Sequence, residues 1–233
     1  MSTLPASIPL HRPPPAHRAA CARALRAAVQ RCVVLPVVGA ICHPEIDGQR
    51  ALRGVAGPCV VVANHQSHLD LPVLLAALPP AMRRRAVVPA AADYWFTRPA
   101  RAAAARTLTE VTPLPRHGGG GAALGRCVDA LHDGGVVVIF PEGTRSRDGV
   151  LGRFHRGAAL LALRAGVPVV PVGISGLREV LPAGATLPHP GHCAVCVGEP
   201  LAATRSDTAE TFTARIESRV RTLRDAAATA LEA

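Results

Sequence analysis

The chain has 233 residues, of which 49% are hydrophobic, and a net charge of +10. This length suits one large domain with a sizeable core, and the charge implies an anionic partner, such as nucleic acid, an anionic lipid surface or a phosphate-bearing substrate. Nucleic acid fits poorly, because one Trp, one Tyr and four Phe without aromatic–basic interleaving offer no base-stacking platform. The seven cysteines, an odd number without framework spacing, fit a reducing compartment.

The N-terminal segment divides into two parts. Residues 1–16 are Pro-rich and predict a flexible lead. Residues 17–42 join an Arg-rich helical pattern, His17–Gln30, to the apolar run Cys32–Cys42, and no acidic residue precedes Glu45. An apolar run of this length is too short to cross a bilayer, so the pattern predicts an amphipathic or apolar helix at an anionic membrane interface. The alternative is an amphipathic helix packed on the domain's own core.

A secretory signal fits this segment less well. Its basic region is too long, no small-x-small cleavage site follows, and Ile41 before Cys42 spoils a lipoprotein site. We therefore expect a peripheral or monotopic protein whose remaining residues, 43–233, form one domain on the cytoplasmic face of the membrane.

A polar turn, Asn64–Asp70, follows the apolar strand Cys59–Ala63 and precedes an apolar segment of helical length. Such strand exits carry ligands and chemistry in open α/β sheets. On one continuous helix, five residues would rotate His65 and Asp70 apart by about 140°. The two can meet if His65 lies in a turn before the helix, with Ser67 as N-cap and Asp70 at N3. The same geometry leaves open that Asp70 only caps the helix.

The middle of the chain predicts further elements in order. A strand is expected at Ala86–Ala92, an aromatic cluster at Tyr94–Phe96, and helices at Arg98–Thr109 and Ala122–Leu131. Gly118–Gly121 lacks the Lys and Ser/Thr of a P-loop and is interpreted as a connector.

A second polar turn, Phe140–Ser146, follows the apolar run Gly135–Ile139. If this strand runs parallel to the earlier one, both turns open on the same edge of the sheet. An Arg beside a Gly that lets the backbone approach closely suits a phosphate or another oxyanion. The two turns are therefore candidates for one shared site.

The C-terminal third predicts a helix at Gly157–Ala165, a strand at Val167–Val172 and a final helix at Thr208–Leu231. The prolines within the strand place it at a sheet edge or strand end. Zinc is not expected near the end of the chain, because Cys193 and Cys196 would point to opposite faces of an alternating strand.

The two polar turns together carry a family resemblance. His65-x-x-x-x-Asp70, followed downstream by Phe-Pro-Glu-Gly-Thr-Arg-Ser, resembles the lysophosphatidic acid (1-acylglycerol-3-phosphate) acyltransferase family, the glycerolipid acyltransferases. Two lesser blocks, Val111–Arg116 and Val167–Val172, agree in order and spacing. The resemblance covers residues 40–202.

This resemblance implies a fold and an activity. The fold is α/β, a mostly parallel or mixed sheet flanked by helices, behind the N-terminal membrane-interface helix. The activity is transfer of a fatty acyl group from a thioester, acyl-CoA or acyl carrier protein, to the hydroxyl of a lysophospholipid. The expected acceptor is 1-acylglycerol-3-phosphate, which would give phosphatidic acid. No cofactor and no metal are implied.

The resemblance also implies the site residues. His65 is the general base for the acceptor hydroxyl, and Asp70 holds the imidazole. The implied substrate-binding residues are Arg116, Glu142, Gly143, Thr144 and Arg145. Among them the two arginines hold the acceptor's phosphate, the glycine lets it approach, and the glutamate orients an arginine or a glycerol hydroxyl.

The chain departs from the family in its basic residues. Many members have a Lys within the segment that here is Ala90–Tyr94 and another at the position of His155, whereas this sequence contains no Lys. Another lysolipid or a different alcohol therefore stays open as the acceptor. A hydrolase that uses the same dyad to activate water and a non-catalytic membrane-surface protein are the alternative functions.

Overall fold

The computed structural model describes residues 16–91, 110–114, 120–146, 148–182, 185 and 187–233. The expectations for the cluster Tyr94–Phe96, the helix Arg98–Thr109 and the phosphate ligand Arg116 lie outside the described residues. So does the predicted lead, 1–16, apart from its last residue, Ala16, which begins the first helix.

The described part of the chain forms a seven-stranded sheet of order β1-β7-β6-β2-β5-β3-β4. Its strands are β1 Pro44–Asp47, β2 Cys59–Ala63, β3 Ala86–Ala91, β4 Glu110–Leu114, β5 Val136–Ile139, β6 Val169–Ser175 and β7 Cys193–Val197. Neighbours pair in parallel except β6 and β7, which are antiparallel. The prediction of a mostly parallel or mixed sheet is confirmed.

Helices cover both faces of this sheet. The helices in the described part of the chain are α1 Ala16–Val29, α2 Leu35–Cys42, α3 Asp70–Ala77, α4 Pro80–Arg83, α5 Gly120–His132, α6 Gly157–Ala165, α7 Leu177–Val180 and α8 Ala209–Glu232. A π-helical turn, Gln30–Val34, joins α1 to α2, and a 3-10 helix, Gln49–Gly54, follows β1. All five residues of β2 are buried, as expected for a strand that is covered on both faces.

Alternate side chains of the strands enter two hydrophobic clusters. Val61 of β2 packs in a cluster with residues of α2, α3 and α7, whereas Val60 and Val62 pack with residues of α5, α6 and α8. The period of two therefore sends neighbouring residues into different halves of the core.

The C-terminal helix lies directly on β6. Thr208 caps it, accepting a hydrogen bond from the N–H of Thr211, and Phe212 and Ile216 are buried. A Cβ added at Gly173 of β6 would lie 2.1 Å from the backbone nitrogen of Arg224. Only a glycine admits so close an approach, and the predicted helix packed on one sheet face is confirmed.

Of the two predicted places for the prolines, a sheet edge or a strand end, the sheet edge is wrong, because β6 lies between β2 and β7. Pro168 lies just before the strand, where a missing N–H costs no strand pairing. Alternate N–H groups of a strand point to opposite neighbours, and the N–H of Val169 donates to Leu201 on the β7 side. Pro171 therefore also faces that side, where regular pairing with β7 begins only at Val172.

The N-terminal helix is longer than its apolar run suggested. By length and composition alone, Ala24–Cys42 could cross a membrane, with a mean hydropathy of 1.6, although signal sequences pass the same test. The eleven-residue apolar run is therefore part of a longer helical stretch, because the π-helical turn continues α1 into α2 and adds apolar residues before the run. The placement of this stretch at a membrane interface stays a prediction. Only 17% of the stretch is buried. Val38 and Cys42 anchor its C-terminal end in the core, whereas Leu25 is 66% exposed.

Candidate active site

The two polar turns leave the same edge of the sheet side by side. β2 and β5 are adjacent and parallel, and Val62 at the end of β2 pairs with Ile139 at the end of β5. The N–H of Ser146 donates to the carbonyl oxygen of His65 over 2.9 Å. The prediction that both turns open on one edge is therefore confirmed, and a direct hydrogen bond joins them.

His65 and Asp70 form a hydrogen-bonded pair. Their Nδ1 and Oδ2 atoms are 2.7 Å apart, and the Asp70 side chain is fully buried while that of His65 is 23% exposed. The N–H groups of Gln66 and Ser67 donate to the same carboxylate oxygen, over 2.6 and 2.8 Å. An ionised carboxylate only accepts hydrogen bonds, so His65 donates from Nδ1, and its Nε2 is the nitrogen that can take a proton.

The predicted capping arrangement is wrong in detail. Helix α3 begins at Asp70 itself with Leu69 as its N-cap, so Ser67 is not the N-cap and Asp70 is not at N3. The Ser67 hydroxyl instead accepts from the N–H of Leu69 within the turn. The physical reason is that the Asp70 carboxylate accepts hydrogen bonds from the N–H groups of Gln66 and Ser67. These bonds hold the two residues in a turn and keep them out of the helix. The same side chain thus organises the turn and orients the imidazole.

The second turn holds His65 in place. Oε1 of Glu142 accepts a hydrogen bond from the N–H of His65 over 2.7 Å. The Phe140 ring stacks on the imidazole, with 4.4 Å between the ring centroids and 21° between the planes. Together with the bond from Ser146, these contacts fix the backbone and one ring face of His65.

Both carboxylate oxygens of Glu142 are used within the protein. Oε2 accepts from the N–H of Gly152 over 2.8 Å, and the residue is 7% exposed. Burial raises the pKa of the Glu142 carboxyl above its usual value, and the hydrogen bonds from His65 and Gly152 offset only part of this rise. Sequence reasoning missed this link between the turns, and the expectation that Glu142 orients an arginine or a substrate hydroxyl stays a prediction.

Glu142→Gln is expected to lower both stability and turnover. An amide has one oxygen, so its NH₂ group must face one of the two backbone N–H donors, His65 or Gly152. An unsatisfied buried donor costs about 1–3 kcal/mol in the free energy of unfolding, and displacement of His65 should lower kcat by about tenfold. Chemical denaturation and steady-state kinetics measure the two effects.

Glu210→Gln is the matched control for this variant, because Glu210 is exposed on α8 and pairs with Arg156. It should change stability and turnover far less than Glu142→Gln does, because an exposed ion pair contributes little to stability and no contact links Glu210 to the His65 turn among the described residues. A Glu142→Gln protein of unchanged stability whose acceptor KM alone rises would contradict the positioning role and support the substrate-orienting one.

The other predicted ligands lie on the same turn. Gly143 has φ +69°, a conformation that favours glycine. Thr144 is exposed and Arg145 is partly exposed. No hydrogen bond or ion pair engages the Arg145 guanidinium within the described ranges, so it can pair with an anion.

Two amide side chains missed by sequence reasoning hold the first turn from its other side. Oδ1 of Asn64 accepts from the N–H of Ile174 over 2.8 Å, and its Nδ2 donates to the Ile174 carbonyl over 2.9 Å. Gln66 also donates to that carbonyl. Ile174 is near the end of β6, so both strands that flank β2 support the turn. The sequence signal for Asn64 and Gln66 was that both amide side chains flank His65 at the exit of a strand.

The sequence matches a known family over the residues that build this site. Residues 43–175, more than half of the chain, match the family model described as Acyltransferase. The chain belongs to the acyltransferase family.

Individual relatives of this acyltransferase carry more specific names. It is 34% identical over 170 residues to the 1-acyl-sn-glycerol-3-phosphate acyltransferase BAT2, chloroplastic, of Brassica napus, covering 70% of this chain and 46% of that protein. It is 38% identical over 127 residues to the lyso-ornithine lipid O-acyltransferase of Pseudomonas aeruginosa, covering 54% of this chain and 46% of that protein. The chain thus spans about half the length of the curated relatives it matches.

The fold of the acyltransferase also matches a solved structure. The crystal structure of the 1-acyl-sn-glycerophosphate (LPA) acyltransferase PlsC from Thermotoga maritima aligns with a TM-score of 0.68. The alignment covers 91% of this chain and 82% of that chain at 24% identity. At this identity the likeness supports the fold.

Proposed function

We propose that this acyltransferase moves a fatty acyl group from a thioester to the hydroxyl of 1-acylglycerol-3-phosphate and forms phosphatidic acid. The observation that carries the proposal is the His65–Asp70 pair, with Nε2 left to take a proton, joined by direct hydrogen bonds to the turn that bears Arg145. The names of relatives such as the Brassica napus enzyme support this acceptor.

The chemistry needs one base and no covalent acyl-enzyme. Nε2 of His65 takes the proton from the acceptor hydroxyl as that oxygen attacks the thioester carbonyl carbon. Asp70 keeps Nδ1 protonated and stabilises the imidazolium that forms. When the tetrahedral intermediate collapses, the C–S bond breaks and the imidazolium returns the proton to the leaving thiolate.

The acceptor's phosphate would be held by the second turn. Arg145 supplies a guanidinium for two phosphate oxygens, and Gly143 lets the backbone approach. On the strength of the family motifs, we assign Arg116 as another phosphate contact and Thr144 as a further contact to the substrate.

We further propose that the enzyme works on the cytoplasmic face of an anionic membrane, with acyl-CoA or acyl carrier protein as the donor. Three exposed apolar side chains of the N-terminal helical segment, Leu25, Val33 and Val37, support contact with lipid. The net charge of +10 supports an anionic surface.

Arg145→Ala is expected to raise the acceptor's KM by about ten- to a hundredfold, with a smaller fall in kcat. The reason is that a phosphate held equally in the ground and transition states contributes uniform binding. Arg164→Ala, which removes an exposed arginine from α6, is the control. Steady-state kinetics with varied acceptor measure this, and a fall in kcat larger than the rise in KM would assign Arg145 to the transition state instead.

One experiment tests the proposed function against its rivals. Purified protein is incubated with acyl-CoA or acyl carrier protein and a panel of lysolipids, and thiol release and product mass are followed. Phosphatidic acid formation from 1-acylglycerol-3-phosphate supports the proposal. The panel includes lyso-ornithine lipid, because a relative is named for that acceptor. Free fatty acid released without acceptor at a matching rate would support a hydrolase, and liposome binding without any transfer would support a surface protein.

A further inference from the structure

His155 lies against the turn that the proposed function gives to the acceptor's phosphate. Its Cδ2 and Nε2 atoms are 3.3 and 3.5 Å from the position that a Cβ on Gly143 would occupy. The N–H of His155 donates to the carbonyl of Pro141 over 2.8 Å, which fixes its backbone beside the same turn. The ring edge that carries Nε2 therefore faces Gly143 across the space that a side chain would fill.

The charged groups near His155 leave its ring open to a ligand. The Glu142 carboxylate is buried, and both of its oxygens accept backbone hydrogens, so it is committed within the protein. Arg156, the next residue, pairs with Glu210 at the start of α8. His155 is itself exposed, so its imidazole is accessible to a ligand that binds at the turn.

We propose that His155 is a further ligand for the acceptor's phosphate, donating a hydrogen bond from Nε2 to one phosphate oxygen beside the oxygens that Arg145 binds. This inference rests on the proposed function and deepens it. An imidazole nitrogen is a donor in the protonated ring and in one neutral tautomer, and a hydrogen bond to an ionised phosphate is stronger than one between neutral groups. Together with Arg145, His155 favours acceptors that carry an anionic phosphate over acceptors that carry an uncharged headgroup.

The test compares His155→Ala, His155→Lys and wild type with 1-acylglycerol-3-phosphate and acyl-CoA. His155→Ala should raise the acceptor's KM by about tenfold, as loss of a hydrogen bond to a charged group does. Its kcat and its KM for acyl-CoA should stay within about twofold of wild type, because His155 does not touch the reacting atoms. His155→Lys should restore the acceptor's KM, because an ammonium donates to phosphate from a similar position.

Arg156→Ala is the matched control, because it removes the adjacent basic side chain that already pairs with Glu210; its acceptor KM should equal that of wild type. Thermal unfolding of every variant shows whether the fold is intact. An unchanged acceptor KM in His155→Ala, or a raised KM that His155→Lys does not lower, overturns the inference while the proposed function stands. Wild-type protein that acylates no phosphate-bearing lysolipid overturns the proposed function and this inference with it.

Discussion

We expect His65→Ala to lower kcat by about a hundred- to ten-thousand-fold, the usual contribution of a positioned general base. The fold should persist, because Asp70 keeps its hydrogen bonds from the N–H groups of Gln66 and Ser67, and the backbone of residue 65 keeps its bond to Glu142. Steady-state kinetics and thermal unfolding measure the two properties on one preparation.

The control for this variant is His132→Ala. His132 is exposed at the C-terminal end of α5. This end of the helix leads into the start of β5, whereas the candidate site lies beyond the end of β5, at the opposite edge of the sheet. Its removal should change neither property. A folded His65→Ala enzyme that keeps most of its wild-type turnover would exclude the general-base role.

Asp70→Asn should lower kcat by about a hundred- to a thousandfold and also destabilise the fold. The backbone N–H groups of Gln66 and Ser67 require an oxygen at the Oδ2 position, so the amide oxygen should take that place. The ring of His65 then keeps its tautomer but loses the negative charge that stabilises the imidazolium. In a Ser-His-Asp triad, an Asp→Asn change that leaves the His in the wrong tautomer lowers kcat by about 10⁴-fold. The fall in Asp70→Asn should be smaller, because the tautomer of His65 is kept.

The stability loss in Asp70→Asn has a separate cause. Oδ1 of Asp70 is buried and has no hydrogen-bond partner in the part of the chain that the structure describes, so the new NH₂ group would find no acceptor there. An unsatisfied buried group costs about 1–3 kcal/mol. Asp129→Asn, at an exposed position on α5, is the matched control, and chemical denaturation measures the difference. Wild-type kcat in Asp70→Asn would leave Asp70 a purely structural role.

Elements with a strong local pattern were predictable, and those that depend on neighbouring strands were not. The helix at Gly157–Ala165 has the predicted bounds, because apolar spacing, a preceding basic loop and a following Gly are all local signals. The prediction that β6 lies at a sheet edge was wrong because it assumed that Pro171 removes a hydrogen bond between strands. Whether it does so depends on the neighbouring strand, and regular pairing with β7 begins only after Pro171, at Val172. Likewise Ser67 carries a capping signature, yet the reach of the Asp70 carboxylate decided where α3 begins.

By itself, the sequence determined which residues leave the ends of β2 and β5 and which chemistry they can perform. The His65–Asp70 spacing and the Glu142–Arg145 segment are short-range patterns, which can be recognised in the sequence without knowledge of the fold. Only the tertiary structure decided that Glu142 accepts a hydrogen bond from His65, 77 residues away, and that Asn64 is bound to Ile174, 110 residues away. Such contacts follow from strand order and register, which hydrophobic periodicity does not encode because every buried strand presents the same apolar pattern.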